Sequence, residues 1–260
     1  MKGVLICGGT GSRLHPLTEI TNKSLLPVYD RPLILYPLDV LVRAGIKEVV
    51  VISGTEHIDQ MGSFLGSGAR FGCEFSYKVQ DKAGGIAQAL GLAEEFAHGD
   101  SICAILGDNV YFDDLASVIR GCTKGGHVFL KDVPDPKRFG VAELQGDRVV
   151  HIEEKPLHPK TSLAVTGCYV YDNRCFEVIR NLKPSARGEM EITDVSDWYA
   201  KRGELTATLL LDEWIDAGTF ESLYQAARVV RERKLEKNTT KPVLKKILRI
   251  AKDPVEVHTS

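Results

Sequence analysis

Residues 2–7, KGVLIC, run without a break into Gly8-Gly9-Thr10-Gly11. A short continuous apolar run that ends on glycine reads as a strand buried on both faces. The same signature returns in EVVVIS (48–53), CEFSYKV (73–79) and SICAILGDN (101–109). Between these strands lie segments with apolar residues at helical spacing. They are PLILYPLDVLVR (32–43), with Pro32 near its first turn and Gly45 past its end, then HIDQMGSFLG (57–66), then Gly85 to about Phe96. Strands that need cover on both faces, alternating with helices that can supply it, predict an α/β fold with a mixed, mostly parallel sheet flanked by helices.

From residue 127 the rhythm changes. HVFLKDV, FGVAELQGDRVVHIEEKP and SLAVTGCYVYD are strand-rich, with Gly146-Asp147 as a hairpin-turn signal. Helices are expected near 173–182 and 191–202, a strand at LTATLLL (205–211), and a long amphipathic helix over 219–236. After Asn238 the run KPVLKKILRIAK sets basic residues among apolar ones at helical spacing, as a docking helix or a loosely held tail would. This divides the chain into one domain, 1–238, with halves at 1–125 and 126–238, and a short basic tail, 239–260.

Thirty-three Lys and Arg against 35 Asp and Glu leave a net charge of -2, without the basic excess of a nucleic-acid binder. No apolar run is long enough to span a bilayer. The apolar N-terminus is too short for a signal peptide, and no small-residue cleavage site follows it. The expectation is a cytoplasmic protein without membrane or nucleic-acid partners. Cys7, Cys73, Cys103, Cys122, Cys168 and Cys175 form no C-x-x-C pair, so free buried thiols are expected rather than a zinc site or a disulfide framework.

A glycine-rich turn after a buried strand lets backbone N–H groups close on an anion with no Cβ in the way. Two common phosphate-binding patterns are not met. No G-x-x-x-x-G-K-[ST] run occurs, and G-x-G-x-x-G fails at its third glycine, where Leu14 stands. EVVVISG also lacks the terminal acidic residue of a dinucleotide-binding oxidoreductase. Arg13 and Lys23 follow the turn instead. Two cations behind a backbone cradle suit a triphosphate, through charge-assisted bonds to its oxygens. The turn alone is equally compatible with a plain tight turn carrying a solvated Arg and Lys.

The stretch GGTGSRLHPLTEITNKSLLPVYDRPLI (8–34) resembles the opening of the sugar-phosphate nucleotidyltransferases. The resemblance continues in order through VQDKAGGIAQAL (79–90), ILGDN (105–109), RFGVAEL (138–144), EEKPLHPKTSLAVTGCYVYD (153–172), RGEMEITDV (187–195) and WIDAGTFESL (214–223). Within the family the pattern is most similar to the branch that uses dTTP and α-D-glucose 1-phosphate. What this implies is a Rossmann-like nucleotidyltransferase fold whose first half binds the nucleotide and whose strand-rich half binds the sugar. It also implies attack of the sugar phosphate on the α-phosphorus of dTTP, giving dTDP-glucose and pyrophosphate for deoxysugar and cell-surface polysaccharide precursors. A uridylyltransferase, another sugar-1-phosphate nucleotidyltransferase and a catalytically idle scaffold member are the alternatives; Arg13, Lys23, Asp108, Lys155 and Asp216 speak against the last.

By resemblance, Gly8, Gly9 and Gly11 form the cradle, Arg13 meets the triphosphate and Lys23 stands where pyrophosphate leaves. The family often has Gln after this lysine; here it is Ser24. Asp108 and Asp216 are the implied ligands of Mg²⁺, which takes one or two protein carboxylates beside phosphates and waters. Gln80 would read the base with the donor and acceptor of its amide, and Gly85 would let the backbone close on it. Asn109, Gly140, Glu154 and Val165 would meet the sugar, and Lys155 its phosphate. Neighbours on a strand point to opposite faces, so Glu154 and Lys155 can share a ligand only if the chain twists there; Pro156 makes an irregular strand end plausible. Arg187 serves the sugar phosphate or a structural role, and Trp214 a sugar edge or packing. Self-association is implied as well. Longer members carry extra C-terminal helices that build a regulatory nucleotide site, which the present tail does not match.

Overall fold

The computed structural model describes residues 1–146 and 148–250, those from 237 onward by backbone alone. Asp147 of the expected hairpin turn, residues 251–260 and the side chains of the basic tail lie outside the described residues. The strands are β1 (Lys2–Ile6), β2 (Pro27–Val28), β3 (Arg31–Pro32), β4 (Glu48–Gly54), β5 (Glu74–Gln80), β6 (Ile102–Leu106), β7 (Asn109–Tyr111), β8 (Gly126–Asp132), β9 (Gly140–Gln145), β10 (Arg148–Glu154), β11 (Leu163–Tyr171), β12 (Leu205–Leu209) and β13 (Trp214–Asp216). The helices are α1 (Leu35–Arg43), α2 (Ile58–Leu65), α3 (Ile86–Gly91), α4 (Glu94–Ala97), α5 (Leu115–Gly121), α6 (Arg174–Asn181), α7 (Ile192–Ala200) and α8 (Phe220–Ile250).

Nine strands make one sheet in the order β5-β4-β1-β6-β11-β8-β12-β10-β9. The first four are mutually parallel, as the strand–helix alternation predicts. Beyond β6 the sheet is largely antiparallel, with only β12 running parallel to β8. The sheet is therefore mixed in equal measure rather than mostly parallel. The short β9–β10 connection cannot cross over a sheet face and so returns antiparallel. β11 also pairs with β9, so the strand-rich half curls back on itself.

The apolar run of β1 is explained by its two faces. Val4 and Ile6 point into a core shared with α3, α6 and α7, while Leu5 and Cys7 point into one shared with α1, α2 and α5. Helix α8 buries Ala226, Val229 and Val230, at i, i+3, i+4 spacing, against Val28, Tyr36 and Ile215. It runs unbroken across positions 238 and 239, where the sequence sets the tail apart. The single helix expected from Gly85 to Phe96 is two, α3 and α4, with Gly91 ending the first. All six cysteines are free. Among the described residues no helix is long and apolar enough to cross a membrane.

Strand order reverses around β1, whose neighbours are β4 on one side and β6 on the other. Such a switch point opens a crevice beyond the carboxyl ends of the strands. Both the glycine turn after β1 and Asp108 after β6 lie at that crevice, tied together by Gly107 N–H donating to the Ile6 carbonyl at 2.8 Å.

Candidate active site

A cleft of about 340 Å³ opens there, between the parallel and the strand-rich halves. Every residue assigned a role from the sequence lines it, apart from Gly11. Gly11 is left-handed (φ 62°), and a methyl group on it would stand 2.7 Å from Thr18 Cγ2, so it shapes the turn rather than the wall. Ser24 is fully buried and does not line the cleft.

Asp108 and Asp216 are far apart in sequence but adjacent in space because β7 and β13 form a two-stranded antiparallel ribbon in which Asp216 lies opposite Asn109. Ala217 N–H donates to the Asp108 carbonyl at 2.9 Å. The segment entering β13 is held firmly. Lys131 Nζ donates to the carbonyls of Leu210 and Asp212 at 3.2 and 2.7 Å, and Asp113 accepts from Leu211 and Asp212 N–H. Arg233 of α8 grips the Asp212 carboxylate.

Lys23 is ion-paired to Asp108. Burial alone would lower the ammonium and raise the carboxyl, but their attraction outweighs it, so Lys23 is held above and Asp108 below its ordinary value. Asp216 goes the other way: burial and then the charge of Asp108 push it up to about 6, against the pull of Lys23, Arg13 and Arg138. Two carboxylates are buried side by side, and the three cations around them do not hold Asp216 at its ordinary value. A divalent cation bound by two carboxylates plus phosphate oxygens would relieve this. Among the described residues no cluster of three or more His, Cys, Asp or Glu could hold a metal by itself.

Asn109 orients Asp108. Its Nδ2 donates to Asp108 Oδ1 at 2.9 Å, while its oxygen accepts from the Trp214 indole N–H at 2.6 Å and Gly167 N–H at 3.3 Å. The amide retains one hydrogen for a ligand. The Trp214 ring packs edge-on against Phe139 with centroids 5.2 Å apart and lines the cleft.

Gln80 is 5% exposed. The sequence gives it a donor and an acceptor for the base, but its nitrogen donates to Gln88 Oε1 at 2.6 Å and to the Gly85 carbonyl at 3.4 Å, which leaves the acceptor. Gly85 (φ 99°, ψ 170°) lies where only glycine is at ease, and a methyl group there would meet the Met190 carbonyl oxygen at 2.4 Å.

On the opposite wall the chain does twist. Lys155 has a left-handed backbone, φ 46°, and this brings its ammonium to 3.7 Å from Glu154 Oε1 on the same side of the cleft. Burial, then the nearby Glu191, raises the Glu154 carboxyl above its ordinary value. Arg187 is held by three carboxylates, Glu191 at 2.8 Å, Glu189 at 3.2 Å and Glu154 at 3.3 Å. It therefore ties the acidic wall together while lining the cleft. A methyl on Gly140 would meet Thr193 Cγ2 at 2.6 Å, so α7 packs directly on that strand.

Sequence reading missed Arg138, Glu189, Glu191 and Thr193 in the lining and Gln88 behind Gln80. Arg138 and Gln88 sit inside RFGVAEL and VQDKAGGIAQAL, so the signal was present but unresolved among neighbouring polar residues.

A nucleotidyl transferase family profile matches residues 2–233. A glucose-1-phosphate thymidylyltransferase of Neisseria meningitidis is 45% identical over 238 residues, covering 89% of this chain and 83% of that protein. One from Actinoplanes is 44% identical, covering 89% and 78%. Among solved structures, a candidate glucose-1-phosphate thymidylyltransferase from Bacillus anthracis, in complex with sucrose, superposes with a TM-score of 0.84 at 50% identity, covering 89% of this chain and 95% of that one. A UDP-glucose pyrophosphorylase complexed with UDP-glucose shares the fold at a TM-score of 0.79 and 23% identity, covering 89% and 98%.

Proposed function

The chain belongs to the nucleotidyl transferase family, and on that footing we propose that it joins dTTP to α-D-glucose 1-phosphate, releasing pyrophosphate and dTDP-glucose. The observation that carries this reading is the pairing of two unlike walls across one cleft. One wall bears the glycine turn, Arg13 and Lys23; the other bears Glu154 and Lys155, brought together by the left-handed residue 155.

An oxygen of the sugar phosphate attacks the α-phosphorus of dTTP, and pyrophosphate leaves from the opposite side. The protein's work is to bring two polyanions together in line and to offset charge moving onto the leaving group. Arg13 and Lys23 bind the triphosphate, while Lys155 holds the sugar phosphate. Glu154 accepts hydrogen bonds from sugar hydroxyls, with Arg187 fixing its carboxylate. Removing one preorganised charge contact of this kind costs on the order of 10²–10³ in rate. Family members use a divalent metal; Mg²⁺ on Asp108 and Asp216 would shield the phosphate oxygens from one another. Six unpaired thiols suit a reducing compartment, and we take the cytoplasm as its place of work.

A pyrophosphate-release assay with Mg²⁺, four nucleoside triphosphates and a panel of sugar 1-phosphates tests this. The expected best pair is dTTP with glucose 1-phosphate, UTP following because it lacks the methyl group that an apolar pocket can bury. A higher kcat/KM with UTP, CTP or ATP overturns the base assignment, and no turnover with any pair favours the scaffold reading.

A further inference from the structure

Gln80 stands at the junction of the cleft and the α3 turn, and its amide nitrogen has two hydrogens to place. One runs to Gln88 Oε1 at 2.6 Å and the other to the Gly85 carbonyl at 3.4 Å. A backbone carbonyl can only accept, so Gly85 fixes which end of the Gln80 amide is nitrogen. That in turn makes the Gln88 oxygen the acceptor between the two side chains. The Gln80 oxygen lies on the other side, only 2.2 Å from where a Gly8 Cβ would stand, next to the cleft. Gln88 is half-buried behind Gln80 and does not itself line the cleft. With both hydrogens committed, Gln80 offers a ligand an acceptor and nothing else.

We infer that Gln88 is a specificity-determining positioning residue. By drawing the Gln80 nitrogen away from the cleft, it leaves a lone acceptor that, among pyrimidines, favours the ring N–H of the thymine or uracil imide over cytosine, whose corresponding ring nitrogen carries a lone pair. This rests on Gln80 being the base contact. Gln88 acts through it, and Gly8 supplies the room: any side chain at residue 8 would displace the Gln80 oxygen.

The test compares kcat/KM for dTTP with that for dCTP, each with glucose 1-phosphate, in wild type, Gln88→Leu, Gln88→Glu and Gln80→Leu. Gln88→Leu releases an N–H of Gln80 and lets the amide turn, so the dTTP-to-dCTP ratio should fall roughly tenfold or more, the scale of one mismatched buried hydrogen bond. Gln88→Glu accepts but cannot donate, and should keep the ratio within about threefold, on the same reasoning. A general packing defect would lower both rates and leave the ratio alone. Gln88→Lys can only donate, should turn the amide over, and carries the test if Gln88→Leu does not fold. The inference is overturned if Gln88→Leu keeps the wild-type ratio while Gln80→Leu destroys it, or if Gln88→Glu loses as much as Gln88→Leu. An unchanged ratio in Gln80→Leu refutes the base contact itself, whatever residue 88 does.

Discussion

Replacing Gly85 by Ala should separate the two walls of the cleft. The residue sits at φ 99° and ψ 170°, a region essentially closed to side chains, where strain is worth about 1–3 kcal/mol. The added methyl would also stand 2.4 Å from the oxygen and 2.8 Å from the nitrogen of Met190. Neither is a side chain that can swing away. They belong to a seam in which Met190 N–H donates to the Gly84 carbonyl at 2.8 Å and Ala87 N–H to the Met190 carbonyl at 3.1 Å. Opening that seam forfeits two backbone hydrogen bonds, each worth about 1 kcal/mol net. Strain and lost bonds together put the cost at about 3–5 kcal/mol. Gly45 is the control, because it too is left-handed (φ 83°) but has nothing within 4 Å of its missing Cβ; Gly45→Ala should cost only about 1–2 kcal/mol of backbone strain. Urea unfolding of both variants measures the difference, and calorimetry with dTTP should show binding weakened in Gly85→Ala alone. Equal stabilities within about 1 kcal/mol, the typical worth of one such bond, with unchanged dTTP binding, would show that the Gly85–Met190 seam tolerates the methyl group.

Other consequences follow from the charges. Asp216→Asn should lose most activity, on the order of 10²-fold or more, while the metal-free protein becomes about 1–3 kcal/mol more stable at pH 7, because a carboxylate raised to about 6 is a charge the fold holds at a cost. Melting and activity measured in EDTA and in Mg²⁺ check both halves of this. Lys155→Ala should raise KM for glucose 1-phosphate and lower kcat, yet leave dTTP binding by calorimetry unchanged, whereas Arg13→Ala should weaken dTTP binding directly. Burial lowers the His127 imidazole from 6.5 to about 4. The unfolded chain therefore takes up that proton first, and stability present above pH 6.5 drains away as pH falls toward 4. Between pH 7 and pH 5 the loss is about 2 kcal/mol, which urea titrations at the two pH values would detect and His127→Gln would abolish.

The parallel half of the fold was legible because its strands are apolar on both faces, as Val4 and Ile6 against Leu5 and Cys7 illustrate. What sequence did not reveal is the three-residue ribbon β7–β13, too short to leave a periodic pattern, although it brings Asp216 beside Asp108. The equal mixture of parallel and antiparallel neighbours escaped for a related reason: pairing direction beyond β6 depends on which strands a curling sheet brings together. At the site, residue types were readable but their hydrogen-bond commitments were not. Gln80 has its donors occupied, Arg187 is surrounded by carboxylates, and Trp214 serves Asn109. The need for a twist at Glu154-Lys155 was visible in strand periodicity, and the left-handed Lys155 supplies it.

In the proposed reaction an oxygen of the sugar phosphate attacks the α-phosphorus of dTTP. The most direct measurement uses glucose 1-phosphate carrying ¹⁸O at its three non-bridging phosphate oxygens, with both products read by mass spectrometry. All three labels should be retained in dTDP-glucose, and pyrophosphate should be unlabelled. Label in the pyrophosphate, or a nucleotide sugar that has lost label, would contradict it.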